Sequence, residues 1–377
     1  MSYENKISKT SESQRPRAIV TINGIQAEFI QIYINSNTYY LADTFSIELP
    51  IRGQKKELSL DYFSSQPAMM AEIFIGYPDN IEKFNTTNLE SMLMGQVDSV
   101  EVRYRENKIM LTGRDLTAKF IDNKTTQKYP NLTASEIVTM LAEKEGLQAD
   151  VTPTTTPSGI YYANNKSTLT SELPEWDLIT FLAQSEQFYA YVKDTTLHFH
   201  PKPPETKKPY LLQYSEPTAS SDNAFIEFNG MDFSTVRNLT VARDVEVTVR
   251  SWNSSSKKAF VVSVRSSLNK KIPLSKAAAP IGDKQKYSYT FPGLTREQAL
   301  QKAQQLARQL SQHERVIEAS LPGDNILNKL SVIKLTGTNT DFDQIYYPST
   351  INRTFNLQGY KMDISAKNHS PNSEVEF

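Results

Sequence analysis

Residues Leu111 to Gly146 read LTGRDLTAKFIDNKTTQKYPNLTASEIVTMLAEKEG, and this run holds a strand end, a charged corner and a helix with its own start and stop signals. Ile109, Leu111 and then Gly113 alternate with polar Thr112, the period of a half-buried strand. Gly113 is expected to break that strand at a bulge or sharp bend. Arg114 and Asp115 follow, and Asp115 is placed to cap a short turn carrying Leu116 and Phe120. Beyond Pro130, Thr133 and Glu136 have the spacing of a capping box, and Leu132 and Ile137 that of a hydrophobic staple. Ile137, Val138 and Leu141 supply one apolar face. Gly146 is placed to end the helix in the left-handed conformation.

The chain upstream is β in pattern. Phe29 to Ile34 is apolar on both alternating sets, Asn35-Ser36-Asn37 reads as a turn, and Tyr39 to Leu49 as the returning strand. Met69 to Ile75 is another strand. Val100, Val102 and Tyr104 alternate toward a turn at Glu106-Asn107-Lys108. So many short strands in residues 17–122 imply a barrel or sandwich. The stretch 79–91 has no period and reads as an exposed insertion. Residues 1–16 read as a flexible arm, either disordered or ordered on a neighbouring subunit.

Downstream, residues 123–200 change to α+β. Pro174 suits a first helical turn, Trp176, Ile179, Leu182 and Ala183 have core-facing spacing, and two strands follow around a turn at Lys193 to Thr196. PKPPETKKP at 201–209 is a stiff, extended linker. Residues 210–368 return to β, with Val245, Val247 and Val249 alternating, a polar insertion at 266–286, and a helix at 296–312. A second capping box, Thr295 with Gln298, opens that helix. Its stripe of Ala299, Leu300, Ala303, Leu306, Ala307 and Leu310 reads as core packing. Residues 369–377 form a short tail.

The 377 residues allow two or more domains with separate cores. Lys and Arg total 41 against 42 Asp and Glu, a net charge of -1, so no global basic field favours nucleic acid. The 19 Tyr and 17 Phe favour strands. The lack of cysteine excludes disulfides and thiolate metal sites. No apolar run approaches the ~18 residues of a membrane span, and the N-terminus lacks a signal-like apolar segment.

Gly113-Arg114-Asp115-Leu116-Thr117-Ala118-Lys119, then Ile121-Asp122 and a helix begun at Thr133, resembles the tail hub (late control protein D) family of contractile phage tails and related injection machines. Further matches in order are the Gly95-Gln96-Val97-Asp98 element, Trp176-Asp177 ahead of a Tyr191-Val192 strand and a Leu197-His198-Phe199 strand, Phe291-Pro292-Gly293-Leu294, and Leu321-Pro322-Gly323-Asp324. The resemblance covers about residues 17–368, with dense identity only at Gly113 to Lys119. It implies a mainly β, tail-hub-like fold in which two β-barrel-like domains, 17–122 and 210–368, flank the α+β domain. It also implies a homotrimer whose six barrels form a pseudo-sixfold ring around an axial channel. The implied partners are a central spike protein, a tail tube or tube-initiator protein and other baseplate proteins, with DNA only as passing cargo and no membrane insertion. The implied place is the virion tail baseplate, assembled in the bacterial host cytoplasm.

The search for catalytic chemistry finds no motif: no Gly-rich phosphate loop, no Gly-x-Ser-x-Gly, no His-Glu-x-x-His. No cofactor is implied. His198 and His200 share one strand face, but no third ligand is signalled, so they read as solvent-exposed strand residues. His313, near a helix end, suits the negative pole there. Asp341-Phe342-Asp343 lacks calcium-loop spacing. The candidates for structural or interface charges are Gly113, Arg114 and Asp115, with Arg243 and Asp244 of the similar stretch Leu239 to Asp244. The reading is a non-enzymatic hub. The alternatives are a tail-tip enzyme cutting cell wall, for which 123–201 offers room for a cleft, and a carbohydrate-binding tip module.

Overall fold

The computed structural model describes residues 15–37, 40–125, 129, 132–155, 173–186, 188–201, 208–215, 227–237, 245–253, 258–267, 285–291, 293–311, 315–368 and 374–376. Most of the expected arm, linker residues 202–207, insertion residues 268–284, Arg243, Asp244, His313 and most of the tail lie outside them. The protein is mainly β with small α+β parts.

The first region comprises β1 (Arg17–Ile22), β2 (Ile25–Ala27), β3 (Gln31–Asn37), β4 (Thr44–Pro50), α1 (Leu60–Ser65), β5 (Met70–Gly76), β6 (Glu90–Arg103), β7 (Lys108–Asp115) and α2 (Thr117–Asp122). β3, β4 and β7 alternate strictly between buried and half-buried residues, the mark of a sheet with one face in the core. Ile32, Ile34, Ile47, Leu49, Ile73 and Leu111 fill that core. The 79–91 stretch contains one short helical turn at Thr86–Asn88, capped by Asn85.

Two local expectations are corrected here. Asn35-Ser36-Asn37 does not turn the chain: β3 runs through it, and Asn35, Ser36 and Asn37 pair with Asn352, Ile351 and Thr350. The returning strand therefore starts at Thr44, not Tyr39. Cross-strand pairing from far along the chain overrides the weak strand propensity of Asn and Ser. Gly113 does not break β7 either; it pairs with Phe45 on one side and Val97 on the other, and the bulge lies in β6 between Val97 and Ser99. A Cβ at position 113 would sit 2.0 Å from the Gln96 carbonyl oxygen and 2.6 Å from Phe45 Cζ, so the glycine serves close backbone approach.

The α+β region follows with β8 (Lys124–Thr125), α3 (Ala134–Lys144), β9 (Gln148–Val151), β10 (Leu173–Pro174), α4 (Glu175–Glu186), β11 (Phe188–Lys193) and β12 (Thr196–Pro201). The box at Thr133 is real: its hydroxyl accepts from Glu136 N at 3.3 Å, while the Glu136 carboxylate accepts from Thr133 N at 2.7 Å. Gly146 has φ +72°, the left-handed ending. β11, β12 and β9 form a three-stranded sheet, antiparallel at β11–β12 and parallel at β12–β9. One face of it packs Ala190, Val192, Leu197 and Phe199 against α3 and α4.

The third region contains β13 (Tyr210–Ser215), β14 (Glu227–Phe228), β15 (Asp232–Arg237), β16 (Val245–Asn253), β17 (Lys258–Ser267), β18 (Gln285–Thr290), α5 (Arg296–Ser311), β19 (Arg315–Pro322), β20 (Ile333–Thr336), β21 (Ile345–Asn356), β22 (Gly359–Asn368) and β23 (Glu374–Glu376). It has two cores. One gathers Leu212, Ile317, Leu335, Tyr346 and Ile364. The other packs Val247, Val249 and Val264 against Ala299, Ala303 and Ala307 of α5, so the helix stripe is core packing. The strands there run β18-β16-β17-β23.

No barrel closes among the described strand pairings. The path β14-β13-β20-β21-β3-β4-β7-β6-β5-β1-β2 is one sheet that crosses from the third region to the first. β21 makes the crossing because it is 12 residues long. Its start pairs with β20, and residues 350–356 pair with β3.

Candidate functional site

The corner at Arg114 and Asp115 sorts two charges to opposite environments, as period two requires. Arg114 faces outward. Its guanidinium donates to Asp98 at 2.6 and 2.9 Å and to Asp122 at 3.1 Å from two nitrogens, a double fork that ties β6, β7 and α2 together. These carboxylates hold the Arg114 pKa above its ordinary value. Asp115 faces inward and is 5% exposed. Its carboxylate accepts from Thr117 N at 3.1 Å at the entry to α2. The N-cap position falls on Leu116, which has no side-chain cap, so Asp115 sits one residue ahead of the capping position expected of it.

Asp115 lies beside Asp43, which the sequence did not single out. Asp43 accepts from Asn37 N at 2.8 Å and pairs with Lys329 at 2.7 Å across 286 residues. Burial, and then the Asp43 charge, push the Asp115 pKa up to about 7. Asp43, Asp115, Tyr191, Asp194, Lys329 and Arg353 line a cavity of about 230 Å³ where the three regions meet. Arg353, 3% exposed, donates to the Leu327 carbonyl on the cavity wall. Nearby, Tyr40 OH donates to the Phe188 carbonyl at 2.8 Å, and Ser91 Oγ to Asp194 at 2.6 Å. The cavity is thus a polar junction in which Asp43 pairs with Lys329, while Asp115, Asp194 and Arg353 hydrogen-bond to neutral groups.

A second cluster adjoins it. The Lys329 ammonium sits 5.0 Å from the centre of the Tyr191 ring, a cation–π contact. Tyr191 stacks on His198 with centroids 4.7 Å apart and planes at 14°. His198 Nδ1 lies 2.8 Å, and His200 Nε2 3.0 Å, from the same Asp150 oxygen. His200 Nδ1 meets Thr152 Oγ1 at 2.9 Å. The histidines are therefore not the solvent-exposed strand residues expected; their side chains are 19% and 27% exposed. Burial lowers the His198 pKa despite the neighbouring carboxylate. Hydrogen bonds from His200, and then His198, lower that of Asp150. Asp150 went unread because the short stretch Gln148–Val151 shows no period, and only its parallel register against β12 sets it opposite His198.

Asp343 organises its own loop, accepting from the backbone of Gly337, Thr338 and Asn339 at 3.0–3.2 Å, so it needs no cation to explain it. No described helix is long and apolar enough to cross a membrane.

The fold is shared with proteins of known structure. A tail protein from Neisseria meningitidis MC58 superposes with TM-score 0.66 at 12% identity, over 95% of this chain and 99% of that one. The 43 kDa tail protein of prophage MuSo2 from Shewanella oneidensis gives TM-score 0.59 at 13% identity, over 93% and 95%. A chain of the Francisella PdpA-VgrG complex gives 0.51 at 9% identity, over 97% of this chain and 59% of that one. At these identities the likeness is one of fold. No curated protein sequence matches. The family model described as the Alg8 N-terminal domain matches residues 64–356, more than half of the 377, and this chain belongs to that family.

Proposed function

We propose that this chain is a structural subunit of a tail baseplate, the hub that joins a threefold central spike to a sixfold tail tube. The carrying observation is coverage: a tail-protein fold accounts for 95% of this chain and 99% of its Neisseria counterpart. The motif order from Gly113 to Asp324 supports the finer hub assignment, and the likeness to a chain of a VgrG complex supports a spike as neighbour. In this reading three chains form a pseudo-sixfold ring around an axial channel in the virion tail. Tube and other baseplate proteins bind it, and DNA only passes through. The β regions on each chain supply the six similar units, and neighbouring chains cover free sheet edges. Arg114, and with it Arg243 and Asp244, are proposed as charges at or near those contacts.

The purified full chain should run as a trimer in size-exclusion chromatography with light scattering and give ring-shaped particles in negative stain. A stable monomer at micromolar concentration, with or without spike protein, would overturn the reading.

One observation bears on the alternative, a wall-cutting enzyme. The cavity brings Asp43 and Asp115 together, the kind of carboxylate pair that glycoside hydrolysis uses. Both are engaged, Asp43 by Lys329 and Asn37 and Asp115 by the Thr117 backbone amide, which favours the structural reading. Clearing of a cell-wall zymogram by the wild type but not by D43N would reverse that preference.

A further inference from the structure

We propose that Asp150, His198 and His200 form a binding site for one divalent transition-metal ion of the zinc class. One ligand atom from each of Asp150, His198 and His200 lies within 4.8 Å of the other two, and Asp150 Oδ2 is 2.8 Å from His198 Nδ1 and 3.0 Å from His200 Nε2. They come from two strands whose parallel register sets His198 opposite Asp150, while the alternation of β12 puts His200 on the same face. Two imidazole nitrogens and one carboxylate oxygen suit zinc, cobalt or nickel; a calcium or magnesium site would be all oxygen. Zinc bonds of about 2.0–2.2 Å in tetrahedral geometry set donor atoms about 3.4 Å apart. The two carboxylate–imidazole separations, 2.8 and 3.0 Å, would need to open by only about half an ångström. The Asp150 side chain, 56% exposed, is free to make that shift.

The surroundings hold the donors in place. Thr152 Oγ1 engages His200 Nδ1 at 2.9 Å, which leaves Nε2 as the nitrogen facing the site, the outer-shell device common around metal-bound imidazoles. The Tyr191 ring, stacked 4.7 Å from His198, fixes the second imidazole. Three protein donors leave a fourth position open to water or to a donor from another molecule. The bound ion would clasp β9 to β12, a pairing of four residues. This site is independent of the hub reading, since it needs no partner chain.

The competing explanation is a hydrogen-bonded trio that takes no metal. The test uses the full chain, stripped with EDTA and exchanged into metal-free buffer. Zinc chloride is titrated by calorimetry, and cobalt chloride by visible absorption. Expected are one ion per chain, a cobalt band indicating nitrogen and oxygen ligation, and a rise in Tm that EDTA reverses. D150N, with its side chain more than half in solvent, should fold normally and lose the binding. H198A and H200A should do the same, and T152V should weaken it by about 10–100-fold. An H313A/H369A variant should bind as the wild type does. Absence of saturable binding in the wild type, or undiminished binding in a D150N/H198A/H200A triple variant, overturns the proposal.

Discussion

At Asp115, burial and charge act on a single carboxyl group. The folded pKa, raised to about 7, stands above the ordinary 3.8. A raised carboxyl favours the folded state when protonated. That contribution is fully present below about pH 4 and is lost as pH rises through about 7. D115N removes the titration and keeps the shape. Thermal melts of both proteins across this range should therefore show the wild type losing stability relative to D115N as pH rises. Parallel curves would show that Asp115 stays solvated. Gly113 tests sterics at the neighbouring position. G113A drives a methyl into the Gln96 carbonyl and the Phe45 ring. The expected loss is about 1–3 kcal/mol in urea unfolding, with little change in the slope.

At the scale of the element, α3 is the clearest case of local specification. Its box and the φ of Gly146 are both present as the run of residue types requires. T133A removes the hydroxyl that caps Glu136 N and should cost about 1 kcal/mol by chemical denaturation. T133S should restore most of it. α5 was equally legible: its alanine stripe lies fully buried against β16 and β17. β3 was not, because Asn35 to Asn37 have turn-forming side chains and are strand only through β21. β9 was invisible for a related reason. Four residues carry too few alternations to signal a strand, and its partner lies some fifty residues on, at 48 for the Asp150–His198 pair.

At the scale of the molecule, the β21–β22 hairpin holds the first and third regions together. Tyr360 belongs to the core of the first region although it lies near the end of the chain. Its ring packs near Phe355 at 5.9 Å and Tyr77 at 6.5 Å, and its hydroxyl donates to Asn325 Oδ1 at 3.2 Å. Tyr77 OH in turn donates to the Gly323 carbonyl at 2.5 Å, and Asn325 Nδ2 to Ile75 O at 2.8 Å. Y360A should cost about 3–5 kcal/mol. It should also separate the unfolding of the two β regions, read as two transitions in calorimetry where the wild type has one; Y360F should keep the single transition. A single transition in Y360A would show that the β3–β21 ladder alone couples the regions.

What the amino-acid order settled by itself is whatever depends on neighbours within a turn or a strand: helix caps, the faces of α3 and α5, the alternation of β4, β7 and β16, and the predominance of β structure. These follow from periods and end signals spanning a few residues. Only the tertiary structure decided that the two β regions share one sheet, that Lys329 reaches Asp43, and that Asp150 meets two histidines. Such pairings join segments far apart in the chain. They are selected by register, shape and burial summed over whole strands, and that sum is not written in the local pattern of either partner.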